Sequence, residues 1–197
     1  MKKPTLAALA LLVAVTAPAQ EAKTEDHAAH AAAALSGIKK EMIEGITSAD
    51  FLKLSDKPKT AKITLVATFT AENYGMNFNG YAKGAAVYTI PTGWTVEVNF
   101  INPGPVPHSA IVIDKPDTQK LQVAEPWFPG GAVPKHTQGM SFGKADFSFV
   151  ADEAGEYALA CGFPAHAISG HWVALNVSDA VKVPTLKLGD LDAVEAK

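Results

Sequence analysis

Residues 62–70 read KITLVATFT, and apolar and polar side chains alternate along this stretch. Ile63, Leu65 and Phe69 therefore fall on one face, as in a β-strand with one side buried. Similar short alternating or apolar runs, separated by Gly, Pro, Asn or Asp, occur at residues 86–90, 95–102, 109–113, 145–150, 156–160 and 172–177. Many short strands with frequent turns and no helical crossovers predict an all-β protein, an antiparallel β-sandwich.

The chain has 197 residues, enough for one domain with a sizeable core but too few for two large domains. Its predicted parts are a signal peptide at 1–19, a linker and weakly helical segment at 20–59, the β-sandwich at 60–178 and a C-terminal tail at 179–197. Ser48 or Asp50 is expected to cap a helix in the second part. In the tail, residues 183–188 are a candidate edge strand.

The N-terminus reads MKKPTLAALALLVAVTAPAQ. Two lysines precede an apolar stretch, and Ala17-Pro18-Ala19 follows it as an A-x-A cleavage pattern. The apolar stretch is shorter than the roughly 20 residues that a membrane-spanning helix needs. We therefore predict a secretory signal peptide cleaved after about Ala19, a periplasmic or extracellular protein, and no stable membrane insertion of the mature chain.

Cys161 is the one cysteine of the chain, so it cannot form an internal disulfide. Cysteines of exported proteins usually occur in pairs, because the compartment is oxidising. A lone thiol in such a compartment is buried and inert, reactive, or bound to a metal. The residues around Cys161 in the sequence distinguish among these three possibilities.

The neighbours of Cys161 favour a metal. Residues 161–172 read CGFPAHAISGHW, which is C-x4-H-x4-H, and the motif places Cys161, His166 and His171 on one loop between two predicted strands. A thiolate with imidazoles suits copper or zinc, and one thiolate, two imidazoles and a weaker axial group form a blue-copper site. The candidate for an imidazole from outside the loop is His108, which follows a proline-rich loop and precedes an apolar strand.

Each of these residues also has an ordinary structural explanation. A lone cysteine is commonly a small core residue, and a loop histidine usually faces solvent or forms a hydrogen bond. The spacing, the Pro-His pair and the unpaired exported cysteine together favour the metal site. For His171 a second arrangement stays open, in which its ring lies at the site rim and the copper is three-coordinate or bound by water.

The pattern of a histidine followed by C-x4-H-x4-ligand resembles the cupredoxins with long ligand loops, most closely the sulfocyanins. The segments that carry this resemblance are MNFNGY at 76–81, NPGPVPH at 102–108 and SGHWV at 169–173. The resemblance covers about residues 62–178 and implies a Greek-key β-sandwich with one type 1 copper that transfers single electrons. Carried over by position, the metal ligands are His108, Cys161, His166 and, as the axial ligand, His171.

His171 departs from this family, which usually has methionine at the axial position. A neutral imidazole is a stronger donor than a thioether and favours Cu(II). We expect a lower reduction potential, a weaker copper–thiolate bond, and a green or red site rather than an intensely blue one. We also expect pH dependence if His171 can be protonated and leave the metal.

Weaker expectations concern the surroundings of the site. Ser109 is expected to tie the two ligand-bearing loops together by hydrogen bonds near the sulfur. An apolar patch is expected around His166, with residues 127–129 as a possible extension. His136 is expected at the surface, and Met140 is at best a reserve axial ligand.

The leading function is an electron carrier that performs no bond chemistry, so we expect no enzyme activity. Redox partner proteins are expected to dock near His166. The net charge of −3 and the lack of a basic stripe argue against nucleic acid as a partner. One alternative is a periplasmic protein that binds or delivers copper, because the four donors and the His27/His30 tail would suit capture of Cu(II). For His27 and His30 themselves an exposed tail without a role is the favoured interpretation. Another is a red-copper-like site that reacts with small molecules.

Overall fold

The computed structural model describes residues 29, 32–33 and 35–197, and within them two β-sheets contain the regular structure. The strands are β1 (Leu52–Leu54), β2 (Thr60–Val66), β3 (Ala86–Pro91), β4 (Trp94–Asn102), β5 (Ile111–Asp114), β6 (Gly143–Ala151), β7 (Gly155–Ala160), β8 (Trp172–Ser178), β9 (Thr185–Leu188) and β10 (Val194–Glu195). Short 3-10 turns lie at Lys40–Met42, Ser48–Asp50, Glu72–Gly75 and Lys115–Gln119. The predicted all-β class is confirmed.

The two sheets are mixed rather than purely antiparallel, which corrects that part of the prediction. One sheet has the order β1-β2-β4-β6 and the other β10-β9-β3-β8-β7-β5. The pairs β2–β4 and β3–β8 are parallel, and the remaining pairs are antiparallel. The parallel pair β2–β4 follows from the path of the chain. After β2 the chain crosses to the second sheet, where it forms β3, and it then returns to the first sheet as β4, which runs in the same direction as β2.

The alternation in residues 62–70 corresponds to the core face of β2. Ile63 and Leu65 are buried, and so are Val98 and Phe100 on the neighbouring strand β4. The strand ends at Val66, earlier than the sequence pattern suggests, because the backbone turns into the left-handed region shortly afterwards. Burial of such side chains from both sheets provides the main stabilisation of the sandwich.

Regular structure extends on both sides of residues 60–178. Strand β1 precedes this range, and β9 and β10 follow it. The candidate edge strand at 183–188 forms β9, but β10 pairs with its outer side and takes the edge position. The cap prediction at Ser48 or Asp50 is wrong: Thr47 is the N-cap, and its backbone N–H donates to the Asp50 carboxylate at 2.8 Å.

Some predictions fall on residues outside the described part of the chain. The signal peptide at 1–19 lies there, and so do His27 and His30. Among the residues that are described, no helix has the length and the apolar character needed to cross a membrane.

Candidate metal centre

A hairpin between β7 and β8 carries the loop at residues 161–171. Ala160 and Trp172 are paired at its base, and the Cys161 N–H donates to the His171 carbonyl at 3.0 Å. The antiparallel ladder therefore continues one residue beyond the strands, and Cys161 and His171 leave the sheet side by side. The His171 N–H in turn donates to the His166 carbonyl at 3.0 Å, which folds the middle of the loop back over its base.

His108 lies just before β5, and it reaches the loop because β5 pairs with β7. Its backbone forms a two-bond bridge with Met140, at 3.1 and 2.8 Å. The buried Asn102 side chain donates to the carbonyls of Val106 and Met140, at 2.7 and 2.6 Å. These bonds hold the proline-rich loop in place, so the position of His108 is set before any metal binds.

The four predicted residues converge in one cluster. His108 Nδ1 lies 3.2 Å from His166 Nδ1, and Cys161 Sγ lies 3.9 and 3.4 Å from these two nitrogens. With His171 included, the candidate donor atoms all lie within 4.8 Å of one another. Donors bound at about 2.0–2.3 Å to one ion stand roughly 3.2–3.8 Å apart in tetrahedral or trigonal arrangements. The cluster therefore has the size of a single metal site.

Burial controls the protonation of these donors. It lowers the pKa of His108 to about 3, assisted by the nearby His166, and it lowers the pKa of His166 as well. Both imidazoles are therefore neutral at neutral pH, the form that binds metals. Burial raises the pKa of the Cys161 thiol to about 11, against the opposing effect of hydrogen bonds from Ser109 and Phe163. The metal-free protein thus holds a thiol, and metal binding releases its proton.

Ser109 ties the two metal-site loops together, as predicted. Its backbone N–H donates to Cys161 Sγ at 3.4 Å, and its hydroxyl oxygen accepts the Gly162 N–H at 2.9 Å. Ser109 itself is fully buried. It therefore holds the sulfur and the following peptide at a constant position relative to His108, as residues around a metal site commonly do.

His171 is the most deeply buried of the four side chains, at 0% exposure. Within the part of the chain that the structure describes, neither of its ring nitrogens has a hydrogen-bond partner, although burial of an unpaired polar atom costs about 1–3 kcal/mol. Burial holds the pKa of His171 well below its usual range, helped by His108 and His166 and opposed by the Asn77 backbone, which lies close to the ring without reaching the geometry of a hydrogen bond. A metal bond to one ring nitrogen compensates for the cost of this burial. A fully buried imidazole without a hydrogen-bond partner is therefore the arrangement expected of a metal ligand.

The weaker candidates are arranged differently. Met140 supports His108 through its backbone, and its sulfur packs against Gly143. His136 is half-buried against Gly162 rather than fully at the surface, because the loop that carries it folds over the end of β7. Trp127 is exposed and packs on Tyr157, a β7 residue, whereas its neighbour Phe128 belongs to the core.

The sulfocyanin (SoxE) domain family matches residues 47–187. The chain belongs to the sulfocyanin family. A sulfocyanin from Sulfolobus acidocaldarius is 32% identical over 138 residues, which cover 66% of this chain and 69% of the relative.

Solved structures similar to this sulfocyanin-family chain include an auracyanin and a rusticyanin. Auracyanin A from Chloroflexus aurantiacus, described as a "blue" copper protein, has 17% identity and a TM-score of 0.41, with 60% of this chain and 99% of that chain covered. Reduced rusticyanin has 23% identity and a TM-score of 0.39, with 71% and 90% covered.

The cofactor of a sulfocyanin-family protein is one copper ion, and the residues present fit it. The cluster offers one thiolate and three imidazoles and contains no oxygen donor. Such a soft set suits copper and discriminates against calcium and magnesium, which prefer oxygen. The unpartnered nitrogens of His171 are the structural sign of this fit.

Proposed function

We propose that this chain is a mononuclear copper electron carrier whose metal is bound by His108, Cys161, His166 and His171. His171 takes the axial place that methionine usually has. When bound, the copper interconverts between Cu(II) and Cu(I) and so accepts or releases one electron. The observation that carries the proposal is the His171 ring, which is fully buried and unpartnered and lies within 4.8 Å of the other three donors.

The protein residues contribute a fixed arrangement of donors. The backbone of His108 is paired with Met140, and that of Cys161 is paired with His171. Donors that do not move when the metal changes its charge keep the rearrangement energy of electron transfer small. This rigidity supports electron transfer, and the chain needs no substrate pocket or general base for such a role.

Burial also supports electron transfer over reaction with small molecules. His108 and His171 are buried, as is Cys161, and His166 is the one half-buried member of the cluster. An exogenous ligand would need to reach the metal through this enclosure. An electron needs only a short path between the metal and the protein surface. Its expected route is the half-exposed edge of His166.

The partner is expected to contact an apolar face around that edge. Ile168, two residues beyond His166, and Val106, two residues before His108, are exposed. Leu121 is 69% exposed and is tied to the same loop, because its carbonyl accepts the Ala165 N–H at 2.7 Å. An apolar face suits brief docking of a redox protein. Export to the periplasm or beyond, with cleavage after about Ala19, belongs to the same proposal.

The test is optical and spin-resonance spectroscopy of the Cu(II)-loaded protein, compared with His171→Met. We expect thiolate-to-copper bands in both proteins, with a bluer spectrum and a higher reduction potential in the variant, because the thioether is the weaker donor. Identical spectra and potentials for the two proteins would remove His171 from the ligand set. Lack of any thiolate-to-copper band in the wild type would remove the copper site altogether.

A further inference from the structure

A second segment, residues 73–84, lies against the end of the 161–171 loop. The Asn73 side-chain amide donates to the Ser169 carbonyl at 2.9 Å, and the Lys83 N–H donates to the Gly170 carbonyl at 2.8 Å. Both contacts fall on the residues immediately before His171. The backbone that carries the proposed axial donor is therefore bonded to a part of the chain that supplies no donor itself.

Close packing continues on both sides of His171. Gly170 has φ +94, and a Cβ there would lie 2.6 Å from Lys83 Cγ. A Cβ at Gly84 would lie 2.5 Å from the Trp172 ring, and the Gly84 N–H donates to the Trp172 carbonyl at 3.1 Å. The two chain segments thus pack closely at Gly84 and Gly170, where a side chain would clash, and this packing restricts movement of the backbone around His171.

Phe78, from the middle of the same segment, contacts the imidazole directly. Its ring centroid lies 4.2 Å from that of His171 with an interplanar angle of 42°, and Phe78 is fully buried. On another side His108 packs against the His171 ring edge-on, at 4.7 Å. The imidazole therefore lies between a phenyl ring and another candidate donor, and the phenyl ring provides no polar atom to compete for its nitrogens.

Phe78 itself is held by the asparagines on either side of it. The Asn77 side chain donates to two backbone carbonyls, at 2.8 and 2.7 Å. The Asn79 side chain accepts the Val66 N–H at 2.7 Å and donates to the Thr64 carbonyl at 2.8 Å. Both asparagines are buried and fully bonded, so the phenyl ring between them has a fixed position.

We propose that Phe78 is the positioning residue for the axial donor, with Asn73 as its backbone counterpart. The phenyl ring fixes the orientation of the His171 imidazole, keeps water from its nitrogens and directs one of them to the metal. This inference rests on the proposed function, because it assigns Phe78 an effect that passes through His171. It also gives the NFNG segment at 77–80 a role at the metal site that its sequence does not reveal.

The test is a double-mutant cycle on the Cu(II)-loaded protein, with Phe78→Leu, His171→Met and the combination. The readouts are the intensity ratio of the thiolate-to-copper bands and the copper hyperfine coupling. We expect Phe78→Leu to shift both readouts in the wild-type background and to leave them unchanged beside Met at position 171. Cu(II) affinity is expected to fall about 10-fold in the single Phe78 variant, as for other residues that orient metal ligands.

Phe128→Leu is the matched control, because Phe128 is equally buried and packs against Phe149 and Tyr157, away from the cluster. It is expected to lower stability without moving either spectral readout. A shift of equal size from Phe78→Leu in both backgrounds, or no shift in either, would overturn the proposal. The comparison of wild type with His171→Met tests the axial ligand separately, so failure of the proposed function is recognised independently.

Two further measurements keep the proposal testable if Phe78→Leu folds poorly. Asn73→Gly removes the side-chain bonds to the carbonyls of Ser169 and Met76 but retains the left-handed backbone, since Asn73 has φ 49. It is expected to shift the spectrum in the same direction, and an unchanged spectrum would count against the proposal. In the metal-free protein, nuclear magnetic resonance of the His171 ring is expected to show one ring orientation with sharp signals in the wild type and exchange broadening in Phe78→Met, and equally sharp signals in both proteins would count against the proposal.

Discussion

Replacing Ser109 by alanine tests whether the contact between the two metal-site loops stabilises the fold as well as the sulfur. The variant loses the hydroxyl oxygen that accepts the Gly162 N–H at 2.9 Å, while the backbone N–H of residue 109 that faces Cys161 Sγ remains. Ser109 and Gly162 are both buried, so no water replaces the lost partner.

The expected loss follows from that burial. An unsatisfied buried N–H costs about 1–3 kcal/mol, so we expect the free energy of unfolding of the metal-free protein to fall by about 2 kcal/mol. For a domain of this size the melting temperature should fall by about 4–8 °C. The variant also loses the 3.8 Å contact between the hydroxyl and Cys161 Sγ, but the shorter bond from the backbone N–H to the sulfur is retained, so the thiolate-to-copper bands should shift only slightly.

The assay is urea unfolding of the metal-free protein followed by circular dichroism, together with optical spectra after loading with Cu(II). Ser148→Ala is the control, because Ser148 is exposed on β6 and a surface substitution usually changes stability by less than about 0.5 kcal/mol. If Ser109→Ala unfolds at the same urea concentration as the control, the hydroxyl does not bridge the loops as described.

Two other outcomes are expected. The metal-free protein should lose stability as the pH falls from about 6.5 towards 3, because His108 binds a proton in the unfolded chain but stays neutral in the folded protein, where its pKa is about 3. The contribution of this residue to the change in unfolding free energy should approach about 1.4 kcal/mol per pH unit. Urea titrations in which His108→Asn shows the same pH dependence as the wild type would contradict this expectation. Cys161→Ser should abolish the thiolate-to-copper bands and lower Cu(II) affinity, since a serine hydroxyl stays protonated, and absorption spectra that keep these bands would show that the sulfur is not a ligand.

The donors on the 161–171 loop illustrate what local sequence can predict. Cys161 and His171 are the first and last residues of a hairpin loop, and the strands on either side of it are visible as apolar runs. Antiparallel pairing of these strands therefore brings the two residues together. His166 lies between them, and its distance from the sulfur is limited by the short chain. His108 is the candidate from outside this loop, after the proline-rich segment, and the structure brings it to 3.9 Å from the sulfur across 53 positions of sequence.

Long-range pairing was less predictable. The alternation in 62–70 predicts a strand but not its partner, and the parallel neighbour β4 follows from a crossing of β3 into the other sheet. The N-cap at Thr47 was missed because Ser48 and Asp50 are equally good capping residues by type, and only the backbone conformation distinguishes them.

By itself, the sequence determined the all-β class and indicated the four candidate donors, because side-chain periodicity, the donor spacing in the 161–171 loop and the Pro-His pair at 107–108 are local properties. Tertiary structure alone decided that the His171 ring points inward without a polar partner and that Phe78 packs on it. Whether an imidazole faces solvent or a metal depends on which distant segments cover it. That outcome follows from sheet order and close packing, which no local pattern of residues records.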